Sequence, residues 1–163
     1  MPIYNRFFFD VDPAVGTAAG KLAEAAARLN AEGPTVPILV NLPADLVAAL
    51  RKEGHSVPDG ISGQALLDTG SDSFAVDSSV VEHLGSKPVD SLRVKGAVGP
   101  AMEQLVHPFS LSFPTTNLPA LPIAFCVSLP LKELGIVAVL GRQLLKKYAL
   151  IYNGPAGHIT IAG

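Results

Sequence analysis

Ala65-Leu66-Leu67-Asp68-Thr69-Gly70-Ser71-Asp72-Ser73-Phe74-Ala75-Val76 is the stretch on which the reading of the whole chain turns. Three apolar residues run into an acid, Thr-Gly-Ser follows, and the chain is apolar again from Phe74. Ala65 to Leu67 reads as the end of a buried strand, and Thr69-Gly70-Ser71 as the tight turn that stops it. A carboxylate delivered by a buried strand is costly unless it is hydrogen-bonded or matched by another group. Taken alone, Asp-Thr-Gly is also read as an Asx-type turn capping a loop.

A second stretch removes much of that ambiguity. Ile136-Val137-Ala138-Val139-Leu140-Gly141-Arg142-Gln143-Leu144-Leu145 is another buried strand running into glycine, then a short helix-like turn. Gly141 stands 73 positions after Asp68, room for a hairpin and several strands. Together the two stretches resemble the retropepsin-like aspartic proteases of bacterial and cellular type. Subunits of that family carry apolar-apolar-Asp-Thr-Gly-Ser/Ala and, later, apolar-apolar-Gly-Arg before a short helix. The resemblance covers residues 34–163. It implies an all-β-dominated fold, a retropepsin-like half-barrel with a few short helices. Residues 1–33 then form an added strand and helix, giving a 1–33 extension and a 34–163 protease domain.

Composition is compatible with that reading and excludes several others. A chain of 163 residues can bury a sizeable core but is short for two ordinary domains. Hydrophobic content of 48% against 16% charged residues argues against disorder, and 14 prolines with 15 glycines argue for many turns between strands. A net charge of −2 without a Lys/Arg cluster predicts no nucleic-acid partner. Cys126 is the single cysteine, so no intrachain disulfide forms, which suits a reducing compartment. Phe7-Phe8-Phe9 meets Asp10 and Asp12 at once, too short an apolar run for a signal-peptide core. No apolar run approaches the ~20 residues of a membrane span. The expectation is a cytoplasmic protein with no membrane partner.

In chain order, Ile3 to Val11 predicts a strand and Pro13 to Ala31 a helix, with Ala18, Leu22, Ala25, Ala26 and Leu29 on one face. Val36 to Leu42 is the next strand, and Ala44 to Glu53 a short helix with Leu46, Val47 and Leu50 inward. Ser62 to Leu67 delivers Asp68. Val76 to Gly85 reads as a helix with Asp77 or Ser78 as N-cap and Gly85 as its stop. Leu92 to Val106 reads as a hairpin around Gly96-Ala97-Val98-Gly99-Pro100. Phe109 to Phe113 and Ile123 to Leu129 supply strands, and Tyr148 to Tyr152 pairs with His158 to Ala162 across a turn.

The chemistry follows from carboxylates. Peptide hydrolysis without metal or covalent intermediate needs a water activated by a base and an acid that polarises the carbonyl. Two carboxyls a hydrogen bond apart do both, because repulsion keeps one of them protonated. Asp10, Asp45, Asp59 and Asp90 lack the flanking pattern of Asp68, so the second carboxyl must come from a second chain on a two-fold axis.

The resemblance assigns Asp68, Thr69 and Gly70 to the catalytic turn, with Thr69 hydrogen-bonding across the axis. Ser71 would donate to the carboxylate, and Asp72 would line the substrate main chain and pair with Arg142. Gly96, Ala97, Val98 and Gly99 fall 28 to 31 positions after Asp68, where the family has a flap over bound peptide. The implied function is an aspartic endopeptidase acting as a homodimer on peptide or protein substrates, with no cofactor and no metal. The alternative is a dimerisation or peptide-binding module that keeps the fold with little turnover. His55, His83, His107 and His158 lack metal-ligand spacing and read as lone surface or loop residues, and Cys126 as a small buried hydrophobe.

Overall fold

The computed structural model describes residues 2–8, 18–96 and 99–163. Among these, the elements run β1 (Ile3–Phe7), α1 (Ala18–Glu32), β2 (Thr35–Asn41), α2 (Ala44–Lys52), β3 (Ile61–Leu67) and β4 (Phe74–Asp77). They continue with α3 (Ser78–Leu84), β5 (Asp90–Val94), β6 (Met102–Ser112), β7 (Leu121–Leu129), β8 (Ala138–Leu140), α4 (Arg142–Leu145), β9 (Ala149–Asn153) and β10 (His158–Ala162).

Seven strands are ordered β2-β3-β8-β4-β7-β6-β5, and a further pairing of β2 with β6 closes the first six into a barrel. Closure removes the free edges that six open strands would leave. β5 stays outside the ring, paired only with β6, so the two project as a hairpin. The period-2 pattern of β2 drives the closure: Val36, Ile38 and Val40 all point inward and are fully buried. Ala65 and Leu67 of β3, Phe109 and Leu111 of β6, and Ala138 and Leu140 of β8 fill the same interior. Each large aliphatic side chain buried there contributes on the order of 1.5–3 kcal/mol.

A smaller apolar cluster forms from the opposite faces of the same strands. Ala75, Val106, Val127 and Val139 pack with Leu131 and Ile136, and Leu66 lies against them. The sheet around Asp68 is therefore apolar on both sides, which becomes important at the site.

The amino-terminal residues share this architecture. β1 pairs antiparallel with β10 from Ile3↔Ala162 to Phe7↔His158, and β10 pairs with β9, making a three-stranded sheet. The Arg6 guanidinium donates to the Thr35 carbonyl and hydroxyl at 3.0 Å and to Gln64 Oε1 at 2.6 Å, tying β1 to β2 and β3. Phe8 and Leu29 belong to the main core. Gly157, at φ +55°, lets the turn before β10 press onto α1, where a Cβ would sit 2.1 Å from the Ala25 carbonyl carbon.

Several boundaries differ from the sequence reading. The first strand ends at Phe7, and residues 9–11 and 13–17 of the expected strand and helix lie outside the described residues. On α1 the buried stripe is Ala25 and Leu29, whereas Leu22 is 47% exposed, because the helix meets the turn at 154–156 and β10 along a narrow line. Val76 and Asp77 are strand rather than helix: Phe74 to Val76 pair with β8 and Phe74 to Asp77 with β7, and these ladders outcompete an earlier helical start. The hairpin arm and the following strand are one element, β6, which passes through Pro108 with a register irregularity between Phe109 and Leu111.

Candidate active site

β3 and β8 run parallel and in register, Ala65↔Ala138, Leu66↔Val139 and Leu67↔Leu140, so Asp68 and Gly141 leave the sheet side by side. The Asp68 N–H donates to the Leu140 carbonyl at 3.1 Å, extending the ladder one residue past β3. The chain then turns. Gly70 N–H donates to Asp68 Oδ1 at 2.7 Å, and Ser71 N–H to the Asp68 carbonyl at 3.3 Å. This is the Asx geometry that the tripeptide allows, and it fixes the carboxylate rather than hiding it. Asp68 is half-buried, and its Oδ2 has no intrachain partner among the described residues.

The second motif holds the turn from behind. Gly141 lies against the backbone of residues 71–73, so that a Cβ there would stand 2.4 Å from the Ser73 carbonyl oxygen and 2.7 Å from that of Ser71. Arg142 N–H donates to the Ser71 carbonyl at 2.8 Å. The Arg142 guanidinium reaches over the turn and donates to the carbonyls of Thr69 at 2.8 Å and Gly70 at 3.1 Å. Three consecutive carbonyls of the Asp68 turn are thus bound by one residue.

Two side-chain roles differ from expectation. Asp72 and Arg142 form no ion pair. Arg142 opens α4 with its side chain spent on the turn carbonyls, and the exposed Asp72 accepts from the Ser73 hydroxyl at 3.0 Å. Ser71 does not donate to Asp68; its hydroxyl is aimed at the Ser73 carbonyl at 3.0 Å, bracing the turn internally. Thr69 is exposed, and its side chain makes no hydrogen bond within the chain among the described residues.

The β5–β6 hairpin stands beside this turn. Gly96 and Gly99 are exposed near its tip, and Ala97 and Val98 lie outside the described residues. Between β5 of the hairpin and Ser73, just past the turn, is a cleft of about 480 Å³ whose lining includes Leu92, Val106, Phe125, Val127 and Gln143 but not Asp68 itself. Phe125, 56% exposed on β7, and Gln143 of α4 were not singled out by sequence. The alternation of β7 places Phe125 opposite the buried Ala124 and Cys126, a signal readable in principle.

A buried carboxylate stands at the end of β4. Asp77, 4% exposed, caps α3 through the N–H and hydroxyl of Ser79 and also accepts from the N–H groups of Leu131 and Lys132, both at 2.7 Å. Burial pushes this carboxyl up, but the combined hydrogen bonds from Ser79, Leu131 and Lys132 outweigh it and hold the pKa below the ordinary value. Leu131 and Ile136, which follow from that turn, cover the apolar cluster beside Val139.

The remaining chemistry-bearing residues are structural. Cys126 is fully buried, and burial pushes its thiol up to about 12. His107, expected at the surface, is instead buried within β6, its Nδ1 3.0 Å from the Ser86 carbonyl. Among the described residues no three His, Cys, Asp or Glu side chains stand together as a metal site, and no helix is long and apolar enough to cross a membrane.

No family model matches this chain, and no curated protein does. Among solved structures it is similar to EIAV protease complexed with the inhibitor HBY-793, at 19% identity and a TM-score of 0.43, over 70% of this chain and 86% of that one. It is also similar to a retropepsin-like aspartic protease from Rickettsia conorii, at 12% identity and a TM-score of 0.39, over 78% of this chain and 91% of that one. The architecture itself is mostly β, a six-strand barrel with a few short helices. It is consistent with a retropepsin-like half-barrel.

Proposed function

We propose that this chain is one half of an aspartic endopeptidase, in which Asp68 from two copies forms a dyad on a two-fold axis. The observation that carries the reading is the placement of Asp68. A buried parallel strand pair delivers it half-exposed, with Oδ1 held on the Gly70 N–H and the turn pinned by Gly141 and Arg142. A lone Asx turn needs no such anchoring. Positioning of this kind is what a general acid or base requires.

In this mechanism the ionised member of the dyad takes a proton from a water whose oxygen attacks the scissile carbonyl carbon. The protonated member gives its proton to the carbonyl oxygen, forming a gem-diol. Collapse then breaks the C–N bond as the amine nitrogen is protonated, and one shared proton remains on the pair. Thr69 is free to bond across the axis, and the β5–β6 hairpin would fold over the peptide as a flap, with Gly96 and Gly99 near its tip. The apolar cluster of Val106, Val127 and Val139 offers a floor for side chains beside the cleaved bond.

Asp68→Asn tests this. The amide keeps the size but removes the base and the shared proton. Cleavage of a mixed peptide library across pH should be lost while secondary structure and self-association persist. A pepstatin-like transition-state mimic should stabilise wild type thermally and the variant far less. Full cleavage by Asp68→Asn would refute the proposal. Mimic binding with no cleavage by wild type at any pH would favour a peptide-binding module instead.

A further inference from the structure

A second, smaller hollow adjoins the cleft on the side away from the hairpin. Phe125 and Gln143 line both: on one side is the cleft bounded by Ser73 and Leu92, and on the other a pocket of about 210 Å³. The floor of the second hollow is apolar, from Phe74, Leu121 and Ile123, while its rim carries Lys146 and Lys147 at the end of α4. Both lysines are exposed, and neither forms an ion pair among the described residues. The first cleft has the opposite polarity at its rim. Asp90 lines it, and Asp72 adjoins it through Ser73. A ligand running from one hollow into the other passes from a carboxylate-rimmed apolar site to an ammonium-rimmed one.

We propose that Lys146 and Lys147 are specificity-determining residues, selecting peptides with an acidic side chain several residues from the cleaved bond. This rests on the endopeptidase reading and adds the substrate class. Phe125 separates the two hollows, so the chain of the substrate lies along its ring edge, with an apolar residue in the first hollow. The acidic residue then enters the second with its methylenes on Ile123 and its carboxylate at the rim. A basic residue there would meet two like charges. Pairing at an exposed rim is modest, so acidic over basic substitution at that one position should change kcat/KM by about three- to tenfold, mostly through KM. It should shrink toward unity in high salt, as exposed charges are screened.

The experiment uses the full chain and a family of fluorogenic peptides, identical except for Glu, Gln or Lys scanned through five positions on either side of the cleaved bond. The expected result is a Glu-over-Lys preference confined to one distal position, absent at 0.5 M salt and reversed in a Lys146→Glu/Lys147→Glu double variant. A Lys146→Arg/Lys147→Arg variant should keep the preference. Should the reversed variant fold poorly, the salt response of wild type and the Arg variant still decide. Cleavage of all peptides with equal kcat/KM, or a preference unchanged by charge reversal, overturns this inference while leaving the dyad intact. Cleavage of none overturns the endopeptidase reading beneath it.

Discussion

Asp77 carries a prediction that the structure lets one size. Its carboxylate, buried under the start of α3, accepts from Ser79 N–H at 2.9 Å, from the Ser79 hydroxyl, and from Leu131 and Lys132 N–H at 2.7 Å each. Asp77→Ala removes an N-cap, worth ~0.5–2 kcal/mol, and strands the N–H groups at 131 and 132, each costing ~1–3 kcal/mol where water cannot replace the lost partner. These losses overlap, so the expected destabilisation is about 3–5 kcal/mol, a large part of the ~5–15 kcal/mol that holds a domain together. In a chain of this size that is a fall in Tm of roughly 6–20 °C. Asp77→Asn keeps one acceptor but turns an NH₂ group toward N–H donors, and should lose somewhat less.

The pH dependence has a definite sign. The folded pKa lies below the unfolded one, so this contribution is present above the unfolded carboxylate value near ~4 and is lost as pH falls through the lower folded value. Thermal or urea unfolding of wild type, Asp77→Asn and Asp77→Ala from pH 2 to pH 7 measures it. The variants should be well below wild type at neutral pH and converge on it in acid. A loss under 1 kcal/mol at pH 7, or a variant curve parallel to wild type down to pH 2, would show that Asp77 is not what holds residues 131–132 in place.

Further outcomes concern the site and its supports. Gly141→Ala places a methyl into the carbonyls of Ser71 and Ser73, and should cost about 1–3 kcal/mol with a disproportionate loss of peptide cleavage, read by paired Tm and kcat/KM. Arg142→Ala removes only exposed hydrogen bonds to Thr69 and Gly70, so stability should drop by about 1 kcal/mol while cleavage falls by tenfold or more; equal small effects on both would deny it a positioning role. Cys126, its thiol pushed up to about 12 by burial, should be inert to a disulfide reagent at pH 8 until denaturant unfolds the barrel; rapid native-state labelling would contradict that burial.

What could be read from sequence, and what could not, divides along the range of the interaction. Residues 65–68 and 136–141 announce themselves because a buried strand must be apolar, and an acid or a glycine at its end is then conspicuous. Their side-by-side placement follows once β3 and β8 pair. The N-cap Asp77 and the left-handed Gly85 were legible for the same local reason. The strand at Phe74 to Asp77 was not, since four residues carry no periodicity and this one exists only because β8 and β7 flank it. Leu22 and Leu29 have the same helical credentials, yet only Leu29 meets the core, and that choice lies with the partner surface. Asp72 and Arg142 make the point most sharply. Opposite charges beside paired motifs invite an ion pair, but a guanidinium facing two unsatisfied turn carbonyls, those of Thr69 and Gly70, has a nearer use. The guanidinium closes the turn that carries Asp68, and Asp72 is left exposed, accepting from the neighbouring Ser73 hydroxyl. A motif thus identifies which residues converge, while the unsatisfied backbone groups of the turn decide which of them bond to one another.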